Sequence, residues 1–389
     1  MTAKRMTVAM IGSKGIPSKS GGVERHVEEL SKRLVSDGLE VIVYTRGWYV
    51  RRKQKTFYGV RLIQLPSIHT KHWDAITHSL IAAVHAIVIV RADIIHIHGI
   101  GPALITPLVR LIPGVRVVVT YHSPDYYHQK WGRLARLLLR AGEWMACRYA
   151  HELIVVSEEL NRHVWSVYRR QAAVIPNGAV VPESRPVATT RELLRRMKIG
   201  NAGYILYVGR LIPHKGVHTL ITAYGSLKKN IPLVIVGDGH HTDHYVQTIK
   251  ILARANKDIL FVGERYGREL DALWRGAAVV VQPSESEGLS LSLLEAMSYR
   301  KPVVVSDIAE NRDVVPNPDF WFHTNDANDL VRVLRFVLAR DDAAQRQARV
   351  NQSIVRDRYN WDRIAQRTVL VYQQLARPAA PVAAELART

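Results

Sequence analysis

The sequence predicts an α/β chain of two doubly wound domains, each built on a mostly parallel sheet. Three observations point there. Short β-branched runs, such as residues 7–12 and 277–282, read as strands buried on both faces, as parallel strands are. Amphipathic stretches alternate with these runs, so each strand reaches the next through a helical crossover. The alternation then restarts after a proline-bearing, unpatterned stretch at residues 180–187, which sets a linker near residue 184.

In the first half, residues 7–12 form the opening strand and residues 13–22 a long loop ending in Gly21-Gly22. Val23, Val27, Leu30 and Leu34 recur at helical spacing, with Glu24, Glu28 and Lys32 on the outward face. Gly38 closes that helix, and residues 40–44 are the second strand. The loop lacks G-x-G-x-x-G, and the second strand ends in Tyr44-Thr45-Arg46 with no acid for a ribose, which argues against a nicotinamide site. Gly21 and Gly22 instead suit a backbone that approaches a substrate phosphate or sugar closely. Further strands fall at residues 60–65, 94–98, 115–120 and 153–156, with helices at 75–90 and 133–148.

In the second half, strand-like residues 204–209, 233–237 and 259–263 each end at a glycine, where loops at the carboxyl edge of a parallel sheet admit a ligand. Residues 277–282 and 301–306 bracket a polar loop closed by Gly288, after which Leu289 and Ser290 lead into a leucine-rich helix. Backbone N–H groups at such a helix start make a phosphate site. Glu287 stands at the helix mouth and Glu295 eight residues along, about 12 Å away at roughly 1.5 Å per residue. That span suits a ligand with hydroxyls at both ends and phosphates between, a nucleotide sugar. Arg210 and Lys215, just beyond residues 204–209, can clamp a diphosphate, Arg as a bidentate fork and Lys as a point charge. Charge builds on a departing phosphate, so these cations act most in the transition state. The bland alternative is a strand–turn–helix with solvated acids and two surface cations. A final helix spans residues 361–375, and residues 377–389 read as a disordered tail.

Composition narrows the class. At 389 residues, with 47% hydrophobic and 23% charged content, the chain can bury two ordinary cores. A lone cysteine, Cys147, excludes an internal disulfide and fits a reducing compartment. Residues 1–5 lead straight into a strand, and the longest apolar stretch, residues 80–90, is broken by His85. The expectation is a cytoplasmic protein with neither signal peptide nor membrane span. The net charge of +20 is concentrated early, with 25 Lys+Arg against 12 Asp+Glu in residues 1–180. Such a surface attracts nucleic acid, anionic headgroups or phosphorylated substrates alike. His96-x-His98 and His240-His241-x-x-His244 lack cysteine or carboxylate partners at zinc spacing, and His96 and His98 can pair with backbone, so no metal is expected.

The strand–loop–helix–strand unit with its E-x7-E spacing resembles the donor-binding element of family 4 glycosyltransferases of the GT-B type. The resemblance implies two Rossmann-like domains facing a cleft, the acceptor domain over residues 1–184 and the donor domain over 185–359. A last helix, residues 360–376, would cross back onto the first domain. It implies Glu287 on the donor sugar, Glu295 on the ribose hydroxyls and Arg210 with Lys215 on the diphosphate. His122 would lie against the reacting sugar, and Gly209, Gly263 and Arg265 would line the donor, the last two where the base is seated by backbone contacts. Retention at the anomeric carbon and no metal cofactor are implied as well. The chain departs from the family at Ser290 and Arg300, where glycines are usual. Residues 61–68, Lys71-His72, His78-Ser79, Lys130-Trp131-Gly132 and Gly142-Glu143 resemble a branch associated with surface polysaccharide assembly, often rhamnosyl transfer.

The expected reaction therefore moves a hexosyl unit from a nucleotide-diphosphate sugar to a hydroxyl on a lipid-linked or cell-surface glycan. Residues 48–58 interleave bases with aromatics, a pattern that a membrane interface, single-stranded nucleic acid and a solvated loop all tolerate. The helix at residues 130–148 sets Arg133, Arg136, Arg140 and Arg148 beside Leu134, Leu137, Leu138 and Trp144. Together they suit peripheral contact with an anionic membrane, at the inner face of the cell membrane. A small soluble sugar or metabolite is the alternative acceptor. A basic nucleic-acid-binding protein is the alternative of another class; it gives Glu287, Glu295, Arg210 and Lys215 no role, and no nucleic-acid partner is expected.

Overall fold

The computed structural model describes residues 5–19, 21–50, 54–68, 70, 73–127, 132–200, 203–227, 231–239 and 242–376. Residues 51–53 of the basic–aromatic stretch, Lys71-His72, Lys130-Trp131, His240-His241 and the tail at 377–389 lie outside the described residues.

The first sheet takes eight strands. β1 (Thr7–Ile11), buried at every position, leads through α1 (Gly22–Ser36) to β2 (Glu40–Arg46). β3 (Thr56–Phe57) and β4 (Val60–Leu65) form an antiparallel hairpin at the sheet edge. α2 (Asp74–His85), β5 (Ile94–His98), α3 (Thr106–Arg110), β6 (Arg116–Tyr121), α4 (Arg133–Tyr149), β7 (Glu152–Val155), α5 (Glu158–Tyr168) and β8 (Ala173–Val174) complete it. The strand order is β3-β4-β2-β1-β5-β6-β7-β8. After α6 (Val187–Arg196), the second sheet is assembled from β9 (Ile205–Val208), α7 (Val217–Ser226), β10 (Leu233–Val236), α8 (Asp243–Ala253), β11 (Ile259–Gly263), α9 (Gly267–Gly276) and β12 (Val279–Gln282). It closes with α10 (Leu291–Ser298), β13 (Val303–Ser306), α11 (Ala309–Val314) and β14 (Trp321–Phe322), in the all-parallel order β11-β10-β9-β12-β13-β14. α12 (Ala327–Ala339), α13 (Asp341–Arg358) and α14 (Trp361–Ala376) follow.

Each sheet reverses its winding once, between β1 and β5 in the first and between β9 and β12 in the second. Loops leaving the carboxyl ends of the strands diverge at such a switch point and leave a crevice between them. The loops after β1, β9 and β12 carry most of the candidate residues.

One face of the first sheet is covered by α1 and α14, whose Val27, Leu30, Trp361 and Tyr372 pack on Val8 and Met10 of β1. The other face is covered by α2, α3 and α4, through Ala82, Val109 and Ala146 against Ala9 and Ile95. α14 is tied to the first sheet by Arg33 Nε donating to Asp362 Oδ1 (2.6 Å) and Arg367 Nη2 donating to the Val174 carbonyl (2.6 Å).

Two local expectations are corrected. Glu24 and Glu28 do not face solvent: with Glu29 they are buried. Glu24 accepts from the Lys14 N–H (3.0 Å) and Glu28 from the Ser18 N–H (2.6 Å), so these acids hold the loop after β1 in place. The helix expected at 75–90 ends at His85 and runs into a single π-helical turn, Ala86–Val90, stopped by Arg91 in the left-handed region (φ 56°).

Candidate active site

The second-domain side of the crevice is two loops locked together. Gly216 takes φ 66°, and a Cβ there would overlap the Pro283 carbonyl, so only glycine lets the loop after β9 lie on the loop after β12. The Glu285 N–H donates to the His214 carbonyl (2.8 Å) across the same seam. This docking brings Lys215 Nζ onto Glu287 Oε1, an ion pair with both side chains largely buried. The same oxygen accepts from Ser284 Oγ (2.7 Å) and Gln282 Nε2 (2.8 Å). Burial alone would raise the Glu287 pKa; Lys215 and these two donors outweigh it and hold the carboxyl below its ordinary value. Lys215 is therefore not a free phosphate clamp in this state but the counter-ion of Glu287.

Arg210, on the same loop after β9 as Lys215, is exposed and, among the described residues, has no ion-pair partner; Gly209 lies at the end of β9 with its N–H on the Val236 carbonyl (3.0 Å). Ser290 caps α10, its Oγ accepting from the Leu293 N–H (3.4 Å), so one of the helix-start donors expected to face a phosphate is already taken. Glu295 sits one helix length away, near Arg25 and Glu29 of α1 across the crevice; burial pushes its pKa up, against the pull of Arg25. Gly263 ends β11 at φ 70° with open space where a Cβ would be, and Arg265 beyond it pairs loosely with Glu269 (3.6 Å). Glu287, Lys215, Gly288, Leu289 and Ser290 are thus gathered together, and Gly263 is joined to Gly209 through Gly237, whose N–H donates to the Gly263 carbonyl (3.0 Å) and which packs on the Gly209 carbonyl.

The first-domain side is a cluster of four buried histidines, His26, His96, His98 and His122. His96 and His98 pair with side chains rather than backbone, which corrects the reading of the strand. His96 bonds Tyr372 OH (2.6 Å) and Thr120 Oγ1 (2.7 Å), while His98 Nδ1 lies 3.2 Å from His122 Nε2. His26 fits edge-on to His122, ring centroids 4.8 Å apart, with Nδ1 2.9 Å from Asn177 Oδ1. Burial pushes the His26 pKa down to about 4 and that of His96 to about 3, and lowers His98 and His122 as well, so all four rings are neutral near pH 7. One ring nitrogen each from His26, His98 and His122 lie within 4.8 Å of one another, a grouping that could hold a cation. His98 already engages His122 and Met10 Sδ (3.4 Å), so an ion would have to displace existing hydrogen bonds.

The two sides touch. A Cβ on Gly288 would overlap the His122 carbonyl, and one on Gly22 would meet Leu291 Cδ1 at 3.5 Å. Asn177 Nδ2 donates to the Leu289 carbonyl (3.0 Å), which turns its amide oxygen toward His26 and places the His26 proton on Nδ1. Asn177 thereby joins the helix tip to the histidine cluster. Gln282, Ser284, His26, His98 and Asn177 escaped the reading of the sequence as site residues. So did Glu310 of α11, whose pKa is pushed up to about 7 by burial and by Glu159, Glu287 and Asp313 nearby. The basic–aromatic stretch is partly interior: Tyr49 and Val50 are buried, and Tyr49 OH accepts from the Lys19 N–H (2.7 Å).

Two facing α/β domains with a charged network at one switch point and histidines at the other define a GT-B-type glycosyltransferase. Residues 20–181 match the family described as Glycosyltransferase Family 4, and residues 192–353 that described as Glycosyl transferases group 1. The chain belongs to the family 4 glycosyltransferases. It is 29% identical to a glycogen synthase of Mycobacterium tuberculosis, over 94% of each chain. Among solved structures it resembles a sucrose-phosphate synthase of Thermosynechococcus elongatus (TM-score 0.80, 24% identity, 95% of this chain and 99% of that one). It also resembles Anabaena HepE in complex with UDP-glucose (TM-score 0.79, 18% identity, 95% of this chain and 100% of that one). No described helix is long and apolar enough to cross a membrane.

Proposed function

We propose that this glycosyltransferase moves a hexosyl unit from a nucleotide-diphosphate sugar to a hydroxyl of a lipid-linked or cell-surface glycan, with retention and without a metal cofactor. The observation that carries the reading is the Lys215–Glu287 pair, held by Gln282 and Ser284 beside Gly288 where the helix tip meets His122. Donor phosphates entering there take Lys215 and Arg210 as cations, and Glu287 turns to the sugar hydroxyls it is then free to accept from. A nucleotide-sugar donor is further supported by HepE, whose structure holds UDP-glucose. Glu295 reads the ribose hydroxyls, and the backbone at Gly263 seats the base. The C1–phosphate bond breaks and the C1–acceptor oxygen bond forms on the same face. The acceptor proton passes to the departing phosphate, whose negative charge Arg210 and Lys215 stabilise as it develops. Neutral His122 donates a hydrogen bond to the sugar without adding a charge beside C1. The Arg- and Leu-bearing α4 supports an acceptor delivered at an anionic membrane.

A panel of nucleotide sugars screened for thermal stabilisation identifies the donor, and single-turnover assays with it locate the chemistry. The reading fails if Arg210→Ala, Glu287→Ala and Glu295→Ala all turn over donor like the parent chain.

A further inference from the structure

The outer face of the helices opposite α1 and α14 exposes large apolar side chains on each of its elements. On α4, Leu134 and Leu137 are 71% and 64% exposed. Just past α3, Leu111 is 77% exposed, and in the π turn after α2, Ile89 is 67% exposed with Val88 beside it. α4 packs along the turn and helix that follow β5, and α2 packs on that same turn, so the three elements form one layer over the first sheet. Leu80 and Val84 of α2, Leu108 of α3 and Leu138 of α4 are also exposed, and large exposed apolar residues gathered on one layer of a globular chain mark a surface that something else covers.

The charges say what covers it. Arg91 follows the π turn, Arg110 ends α3, and Arg133 and Arg136 rise from the first turns of α4, all exposed. The layer's helices carry two acids, Asp74 and Glu143, and both are buried: Asp74 pairs with Arg46 (2.8 Å) and Glu143 accepts from Tyr121 OH (3.1 Å). Apolar side chains rimmed by cations, with every carboxylate of these helices turned inward, match the acyl boundary and headgroups of an anionic bilayer. A second copy of the chain would bring the same cations face to face.

We infer that the outer layer of α2, α3 and α4 is the docking surface for an anionic lipid bilayer, with the π turn and the amino-terminal half of α4 entering the interface. The loop at residues 48–58 is left out of it, since Tyr49 and Val50 are committed to the interior. This deepens the reading of a lipid-linked acceptor and rests on it for what the acceptor is, but vesicle binding is measured separately from donor binding.

The test is flotation of the full chain with vesicles of phosphatidylcholine alone and of phosphatidylcholine with phosphatidylglycerol. Binding is expected with the anionic vesicles, weakening as salt rises. Arg133→Ala/Arg136→Ala weakens it on the order of tenfold. Leu134→Asp/Leu137→Asp abolishes it while melting temperature and nucleotide-sugar stabilisation stay at parental values. Equal flotation with neutral vesicles, or parental binding by both variants, overturns the inference. So does a dimer in size exclusion that Leu134→Asp/Leu137→Asp dissociates, since the face would then be covered by a second copy. Loss of nucleotide-sugar stabilisation in the parent, with vesicle binding intact, would strike the donor reading and leave this surface standing.

Discussion

The two sides of the crevice solve opposite problems. The second-domain side holds fixed charges, with Lys215 and Glu287 neutralising each other amid Gln282 and Ser284. The first-domain side holds four imidazoles that burial keeps uncharged, linked to one another, to Thr120 and Tyr372, and to Asn177. Charge belongs where a diphosphate must be gripped and released. Neutral donors belong where a sugar carbon acquires positive character, because a cation there would raise the barrier. On the proposed reading, the second domain grips the phosphates and, through Glu287 and Glu295, takes sugar hydroxyls, while the first domain sets uncharged imidazoles beside the reacting carbon.

The largest expected effect breaks the charged side. Glu287→Ala or Lys215→Ala should lower turnover by about a thousandfold and destabilise the fold by about 3–5 kcal/mol, because each leaves a largely buried charge unpaired. The Lys215→Met/Glu287→Gln double variant should regain most of that stability in urea titrations and none of the activity. Should both single variants unfold at the parental midpoint, the pair is not the buried network described. On the neutral side, His122→Ala should lower kcat on the order of a hundredfold with little change in donor stabilisation. Equal losses in kcat and donor binding would instead make His122 a donor ligand only.

Asn177→Ala tests whether the sides are coupled. It strips a partner from both the Leu289 carbonyl and His26 Nδ1, so about 1–2 kcal/mol of stability and roughly a tenfold loss in kcat should go together. A drop in stability without a kinetic change would make Asn177 merely structural.

The smallest effects, in pH, sharpen the contrast because the domains should respond with opposite signs. His26 titrates near 4 when folded against 6.5 when unfolded, so its contribution is complete above pH 6.5 and is lost as pH falls toward 4. His26→Gln should lessen the fall of the urea midpoint across that window, with His96, His98 and His122 keeping the remainder. Glu310 titrates near 7 against 4.5, so its contribution is complete below pH 4.5 and is lost as pH rises through 7, on the order of 2 kcal/mol after allowing for its partial exposure. Glu310→Gln should remove that decline, and parental pH dependence in both variants would mean that other groups set it.

What the sequence made legible was local or periodic. Runs such as Val279–Gln282 announce buried parallel strands because both faces are covered, and an acid eight residues from another falls on one loop and helix whatever the rest of the chain does. His122 was legible only through the family resemblance, and the gathering of His26, His98 and Asn177 around it was not, because His26 and Asn177 are 151 positions apart and meet only through the sheet order. Periodicity also misplaced Glu24 and Glu28, since a pattern that counts acids as solvent-facing cannot see the loop N–H groups that bind them.

The contact between Gly288 and the His122 carbonyl leaves no room for even one added methyl. Position 288 acts as a spacer of minimum thickness, and any side chain there would hold the halves ajar and let water compete with the acceptor. Redesign of sugar preference should therefore leave that position untouched and work from Ser290, two residues on, where a side chain is already accommodated.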